Sequence, residues 1–373
     1  VIKRLSSLIS IAASLALLAS CASPGANTSA NNPTNSTVSP AANTNTNTNL
    51  RNVSVQLAFL FQSLDAPLIL AINNGYFAAE GLNVTYERGF GNVDTISKLG
   101  TGTFDIAFSD IYNTLEFNDK NPNDKIIAVA VPINKAPFAV LTLDDAIASP
   151  QDLAGKTLGA PAGDGPRKLF PLFAKETGVD PNSVTWTTME PRLRETFLLQ
   201  GKVDAISAFS TSALPSLLKG GKSRDDITVF YYNDFGLDFY GNAILAKESF
   251  VRQNPDVIRG FVRAYLRGMQ DMLRDPNAAL DAVIAADQSK LMDREAEKIR
   301  LQVALEDLII TPEAEALGLG AVDPQRLQTT ITQTVEGFGL SSQPTVADIF
   351  TDEFLPPKEE RALPPQNERQ PLS

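Results

Sequence analysis

Histidine is absent from this chain of 373 residues, and cysteine and tryptophan occur once each. Without an imidazole there is no Ser-His-Asp triad, no Cys-His pair and no His-ligated zinc site. A single cysteine closes no internal disulfide. Positive charge is also in short supply, since 32 Lys and Arg stand against 43 Asp and Glu, a formal net charge of −11. Phosphate backbones repel such a chain, so nucleic acid is not expected as a partner. Neither a catalytic constellation nor a metal site is expected, and the chain does not read as an enzyme.

What is present begins with Lys3 and Arg4 ahead of an apolar run from Leu5 to Ala19. The run is shorter than the roughly 20 apolar residues that span a bilayer, so residues 1–20 read as an export signal. Leu18-Ala19-Ser20-Cys21 resembles the bacterial lipobox, which implies that Cys21 is lipidated and becomes the new N-terminus. From Ala22 to Asn52 the chain is rich in Asn, Thr, Ser and Pro and carries one charge, Arg51. Such a composition buries too little apolar surface to order itself, so 21–52 reads as a tether reaching on the order of 30 Å. The protein is expected at the extracytoplasmic side of the cell membrane, held by a lipid.

From Val53 the punctuation becomes regular. VSVQLAFL, LNVTYE, FDIAFS and KIIAVAV read as strands, alternating with helical stretches such as LILAINNGYF and VDTISKL. After FAVLTL the alternation restarts with KTLGAP, SVTWTTM, VDAISAF and ITVFYY, each but the last followed by a helix. YGNAILA is a further strand, and from there the chain is mostly helical. In the stretch 254–273 the apolar residues recur at helical spacing, as a core-facing stripe does. Strand–helix alternation of this kind indicates α/β units around largely parallel sheets. With FAVLTL and YGNAILA as crossings, residues 53–141 plus 241–373 form one lobe and 142–240 the other, around a two-strand hinge. The proline-rich end, LPPKEERALPPQNERQPLS, is expected to lie on the surface or be loose.

The segment APLILAINNGYFAAEGLNVTYERGFGNVDTISKLGTGTFDIAFSD resembles the first lobe of substrate-binding proteins serving ABC importers of thiamine precursors, alkanesulfonates, taurine and riboflavin. DLAGKTLGAPAG, QGKVDAI and NPDVIRGFVRAYLRG follow in the order and spacing of that superfamily. MEPRLRETFLLQGKVDAISAF, YGNAILA and IFTDEFLPP most resemble the riboflavin-binding RibY lipoproteins. The resemblance implies a two-lobed type II periplasmic binding protein fold, a ligand held between the lobes, and delivery to a membrane ABC permease by a monomer. It implies no cofactor; riboflavin would be the transported ligand. A thiamine pyrimidine precursor, or another small aromatic or sulfonate, is the alternative. A pyrimidine-forming synthase of the same fold consumes its own active-site histidine, which this chain lacks.

Ligands of open α/β sheets sit beyond the carboxyl ends of strands. The joints there place Phe61, Asp65, Asn92, Ser109, Asp110, Tyr112, Asp164, Glu190, Arg192, Phe209 and Tyr240 as candidate ligand contacts. Asp65, Asp110, Asp164 and Glu190 outnumber the positive residues Arg167 and Arg192, a set that suits a neutral N–H- and O–H-bearing heterocycle better than a sulfonate. Phe61, Tyr112, Phe209, Tyr232 and Tyr240 could wall a flat ring. Plainer roles compete: Asp65 and Asp164 as helix caps, Phe61 closing the core, Tyr232 ending a strand.

Overall fold

Two five-stranded sheets share one strand order. The computed structural model describes residues 50–373, so the export signal, Cys21 and nearly all of the tether lie outside the described residues. The first sheet contains β1 (Arg51–Gln56), β2 (Leu82–Glu87), β3 (Ile106–Asp110), β4 (Ile126–Ala130) and, from late in the chain, a fifth strand, Asn242–Lys247. The second contains β5 (Phe138–Thr142), β6 (Thr157–Ala160), β7 (Thr185–Thr188), β8 (Ala205–Phe209) and β9 (Thr228–Tyr231). With Asn242–Lys247 as β10, the orders are β2-β1-β3-β10-β4 and β7-β6-β8-β5-β9. β1 is parallel to β2 and β3, as β6 is to β7 and β8. The inserted strand of each sheet, β10 or β5, is antiparallel to both neighbours.

The central strands are apolar almost throughout because helices cover both faces of each sheet. IIAVA of β4 and FAVLT of β5 have hardly an exposed residue. The long helix Pro255–Arg274 turns its stripe of Val257, Ile258, Phe261, Val262, Tyr265, Leu266, Met269, Met272 and Leu273 into the first core, against helix Ala66–Asn73.

The chain passes between the sheets at 131–137 and again at 232–241. These segments lie side by side, with Gly241 N–H donating to Ile133 O at 3.0 Å and Ala136 N–H to Phe239 O at 2.8 Å. Gly241 is required by that approach, because a Cβ there would stand 2.6 Å from Ile133 Cγ2 and 2.9 Å from Lys135 O. The boundary expected at 141/142 moves back ahead of Phe138. β5 is an interior strand of the second sheet with both edges taken, by β8 and β9, so none of it is available to the first. Helix Pro324–Phe338 adds a further link by packing on both helix Ile111–Lys120 and helix Gly165–Thr177.

The tail lies mostly on the surface, one of the two outcomes expected, and is tied down there rather than loose. Its sequence is a tandem repeat, LPPKEERA then LPPQNERQ, and each copy folds into the same 3₁₀ turn. Arg361 Nε donates to Pro356 O at 2.8 Å, and Arg369 Nε to Pro364 O at 2.7 Å. Arg361 Nη1 also holds the carbonyls of Leu317 and Leu319, at 2.8 and 3.1 Å. Proline supplies a chain already restricted in φ, and the arginine satisfies carbonyls that have no ladder to join. Composition alone hid this, because the repeat's order lies in its spacing.

Candidate functional site

The carboxyl ends of β1, β2 and β3 face those of β6, β7 and β8 across a cavity of about 1500 Å³. Its floor is built around Asp110, the last residue of β3. Asp110 Oδ2 accepts the Tyr112 hydroxyl at 2.7 Å and the Asn92 side-chain amide, while Oδ1 has no hydrogen-bond partner. The residue is 1% exposed. Burial pushes its carboxyl up to about 7, a rise that the Asp164 carboxylate across the cleft reinforces and the hydrogen bonds from Tyr112 and Asn92 oppose.

The second lobe contributes an ion cluster to the same end. Asp164 precedes helix Gly165–Thr177, and Arg194 opens helix Arg194–Leu199. Arg194 Nη1 donates to Asp164 Oδ2 at 2.9 Å and its Nε to Glu195 Oε1 at 2.9 Å. Arg194 and Glu195 are only 5% and 9% exposed. Burial raises the Asp164 carboxyl, with the Arg194 charge opposing. The lobes approach closely between Tyr112 and Gly165, where a Cβ would fall 2.2 Å from the tyrosine hydroxyl oxygen. Tyr112 also meets Phe138 and Phe338 edge-on, with ring centres 5.1 and 6.0 Å away.

The first-lobe wall is apolar and partly open. Phe61 stacks on Tyr86 with ring centres 5.7 Å apart and planes inclined by 22°. Phe59, Leu60, Phe90 and Val93 line the mouth and stay 38%, 44%, 65% and 61% exposed, the Phe90 ring lying 4.3 Å from the Arg88 guanidinium. At the far end, helix Arg294–Val303 closes the cavity. There Glu297 accepts Ser63 N–H at 2.7 Å and Arg300 Nε at 3.0 Å, while Arg300 Nη1 donates to the Thr211 carbonyl of the second lobe.

Of the residues singled out in the sequence, Phe61, Asn92, Asp110, Tyr112, Asp164, Glu190, Arg192 and Phe209 line this cavity. Asp65, Ser109 and Tyr240 do not. Asp65 accepts the Gln62 N–H at 2.9 Å and closes the 3₁₀ turn Ser63–Asp65, the capping role that competed from the start. Ser109 is fully buried inside β3; neighbours in a strand point to opposite faces, so Asp110 and Ser109 could not both serve the cleft. Tyr240 belongs to the hinge, donating to Glu313 at 2.6 Å and accepting Asp323 N–H at 2.7 Å beneath the Arg326 guanidinium. Tyr232 is buried against Phe173, ring centres 4.5 Å apart.

Sequence reasoning missed Arg194 and Glu195, and helix Arg294–Val303 entirely. The joint after β7 contains an extra 3₁₀ turn, Pro191–Leu193, which carries the buried charges past the expected Glu190 and Arg192. Glu297 and Arg300 come from a helix far along the chain, which no local pattern links to the strand ends. Among the described residues, no group of three or more His, Cys, Asp or Glu could hold a metal ion, and no helix is long and apolar enough to cross a membrane.

Comparison with known proteins matches residues 63–279, more than half of the chain, to the family described as NMT1/THI5 like. The chain is 28% identical to the riboflavin-binding protein RibY of Chloroflexus aurantiacus, over 91% of its own length and 95% of that protein. It is 26% identical to the formylaminopyrimidine-binding protein of Halalkalibacterium halodurans, over 69% of its length and 78% of that protein's. Among solved structures, the alkanesulfonate-binding protein SsuA of Xanthomonas axonopodis pv. citri superposes with a TM-score of 0.61 at 14% identity, covering 80% of this chain and 98% of that one. The chain therefore belongs to the NMT1/THI5-like family and has the fold of the substrate-binding proteins of ABC importers.

Proposed function

We propose that this protein is the extracytoplasmic receptor of an ABC importer, tethered by a lipid on Cys21, and that it carries riboflavin to its permease. The observation that carries this reading is the division of the cavity into an aromatic wall and an acceptor-rich floor. Isoalloxazine is flat and apolar along its faces, which suits the Phe61–Tyr86 pair and the exposed Phe59 and Phe90. Its imide N–H and the ribityl hydroxyls are donors, which suits Asp110, Asp164 and Glu195. A cavity of about 1500 Å³ accommodates a tricyclic ring with its side chain. The similarity to RibY over nearly the whole of both chains supports the same ligand. Binding is the proposed activity, with no bond made or broken. Titration with riboflavin, followed by quenching of flavin fluorescence, is expected to saturate at micromolar concentration or below; no quenching there would reject the flavin.

A receptor for a thiamine pyrimidine precursor is the second reading, favoured by the similarity to the formylaminopyrimidine-binding protein. An aminopyrimidine offers the same kind of donors with a smaller ring. Mass spectrometry of ligand released from natively purified protein separates the two.

A further inference from the structure

We propose that Asp110 selects the ligand class, its unpaired Oδ1 demanding an N–H or O–H donor and thereby rejecting oxyanions. The inference rests on the cleft being a ligand site, as in the proposed function. The four carboxylates at the strand–helix joints are not equivalent. Asp65 spends one oxygen on Gln62 N–H and Asp164 one on Arg194, and neither has its other oxygen buried without a partner. Glu190 is exposed, where water satisfies it. Asp110 alone among these combines near-complete burial with an oxygen that nothing in the protein satisfies.

A buried acceptor left unmade costs stability and calls for a partner, and the position of Asp110 on the cavity lining puts that partner within reach of a ligand. The neighbours fix which oxygen is left over. Asn92, at the start of helix Asn92–Gly100, and Tyr112, in the first turn of helix Ile111–Lys120, both donate to Oδ2. With that oxygen occupied from two sides, Oδ1 is the remaining acceptor.

The charges facing Asp110 come from the other lobe. Asp164 is the near one, with Arg194 and Glu195 behind it. Two carboxylates and one guanidinium leave that side with an excess of negative charge, so a sulfonate or nitrate entering here would meet Asp110 across a repulsive gap. A neutral donor meets no such barrier. It also favours the ionised carboxyl, which otherwise titrates near pH 7. Ligand binding should then release a proton, and affinity should rise with pH up to that point.

The experiment measures affinity of the full chain for riboflavin, an aminopyrimidine and an alkanesulfonate by calorimetry between pH 5.5 and 8. The proposal expects a donor-bearing heterocycle to bind about 30-fold more tightly at pH 8 than at pH 5.5, the ratio for a site near 7 that binds only when ionised. Asp110→Asn keeps an acceptor for Asn92 and Tyr112 but turns an amide toward the ligand. It should weaken binding by about 10- to 100-fold and flatten the pH profile. Binding of the alkanesulfonate in preference to the heterocycles would overturn the inference while leaving the receptor reading intact, as would a flat pH profile in the unaltered protein. Failure of all three ligands to bind would overturn both. Should Asp110→Asn not fold, the pH profile of the unaltered protein still decides.

Discussion

The two lobes are built alike and furnished differently. Each has a parallel trio, β2-β1-β3 or β7-β6-β8, an inserted antiparallel strand and an outer fifth strand. Yet the strand-to-helix joints and first helical turns of the first lobe present Phe59, Leu60, Phe61, Phe90 and Val93, whereas those of the second present Asp164, Glu190, Arg192, Arg194 and Glu195. One scaffold thus serves two tasks: a wall that removes apolar surface from water and a wall that reads polar groups. Among the strand ends of the first lobe Asp110 is the exception, a carboxylate placed where the second lobe can confront it. A cleft assembled this way is complete only when the lobes come together, so affinity depends on their approach as well as on either wall.

The largest effect should come from breaking the polar wall. Arg194→Ala leaves Asp164 and Glu195 buried without their cation, and removing one member of a buried pair costs about 3–5 kcal/mol. Because burial already raises the Asp164 carboxyl, protonation relieves part of this penalty at low pH. Urea denaturation should therefore show a larger loss at pH 8 than at pH 5.5. Equal losses at both would mean that the cluster is held by packing and not by charge.

Next in size is a change that spares both walls and spoils their approach. Gly165→Ala introduces a methyl 2.2 Å from the Tyr112 hydroxyl, and because that buried ring is packed against Phe138 and Phe338, the relief expected is a wider separation of the lobes. Ligand affinity should fall about tenfold as the closed state becomes harder to populate. Adding Tyr112→Phe removes the clashing oxygen and should recover part of the closure, seen as a smaller radius of gyration with ligand bound. If the double variant is as open as the single one, the contact does not set closure.

Legibility in the sequence followed distance from the strand ends. The strands and the two lobes could be read because alternation and apolar runs are local, and Phe61, Asn92, Asp110, Tyr112, Asp164, Glu190, Arg192 and Phe209 were found because they stand at or near strand-to-helix joints. What was missed lies a turn further on or on another element. The 3₁₀ turn Pro191–Leu193 shifts the functional charges onto Arg194 and Glu195, and a turn of three residues has no periodicity to announce it. Glu297 and Arg300 reach the cleft only through tertiary packing. Tyr240 was misplaced for the complementary reason: it follows the second sheet in sequence, but its hydroxyl is engaged by Glu313 and Asp323 at the hinge.

The apolar wall should answer more mildly. Phe61→Ala removes the ring stacked on Tyr86, and an aromatic pair adds about 0.5–1.5 kcal/mol beyond its burial. Affinity for a flat ligand should fall roughly two- to tenfold, with the same ratio at pH 5.5 and pH 8. A pH-dependent loss would instead tie Phe61 to the polar floor and blur the contrast between the walls.

The smallest effect sharpens what burial does to an ion pair. Lys175 on helix Gly165–Thr177 and Glu336 on helix Pro324–Phe338 meet at 2.6 Å, as close as any pair in the cleft. Both side chains are more than half exposed, so water screens their attraction and each pays conformational entropy to stay in place. Glu336→Gln should change stability by less than about 0.5 kcal/mol, and by less still at 0.5 M salt. Arg194 is buried and joins two carboxylates, so the gap between these two substitutions reports the burial and the connectivity of the cluster together. A Glu336→Gln cost near that of Arg194→Ala would mean that helix Pro324–Phe338 clamps the lobes through this pair, and that the polar wall owes its stability to the clamp.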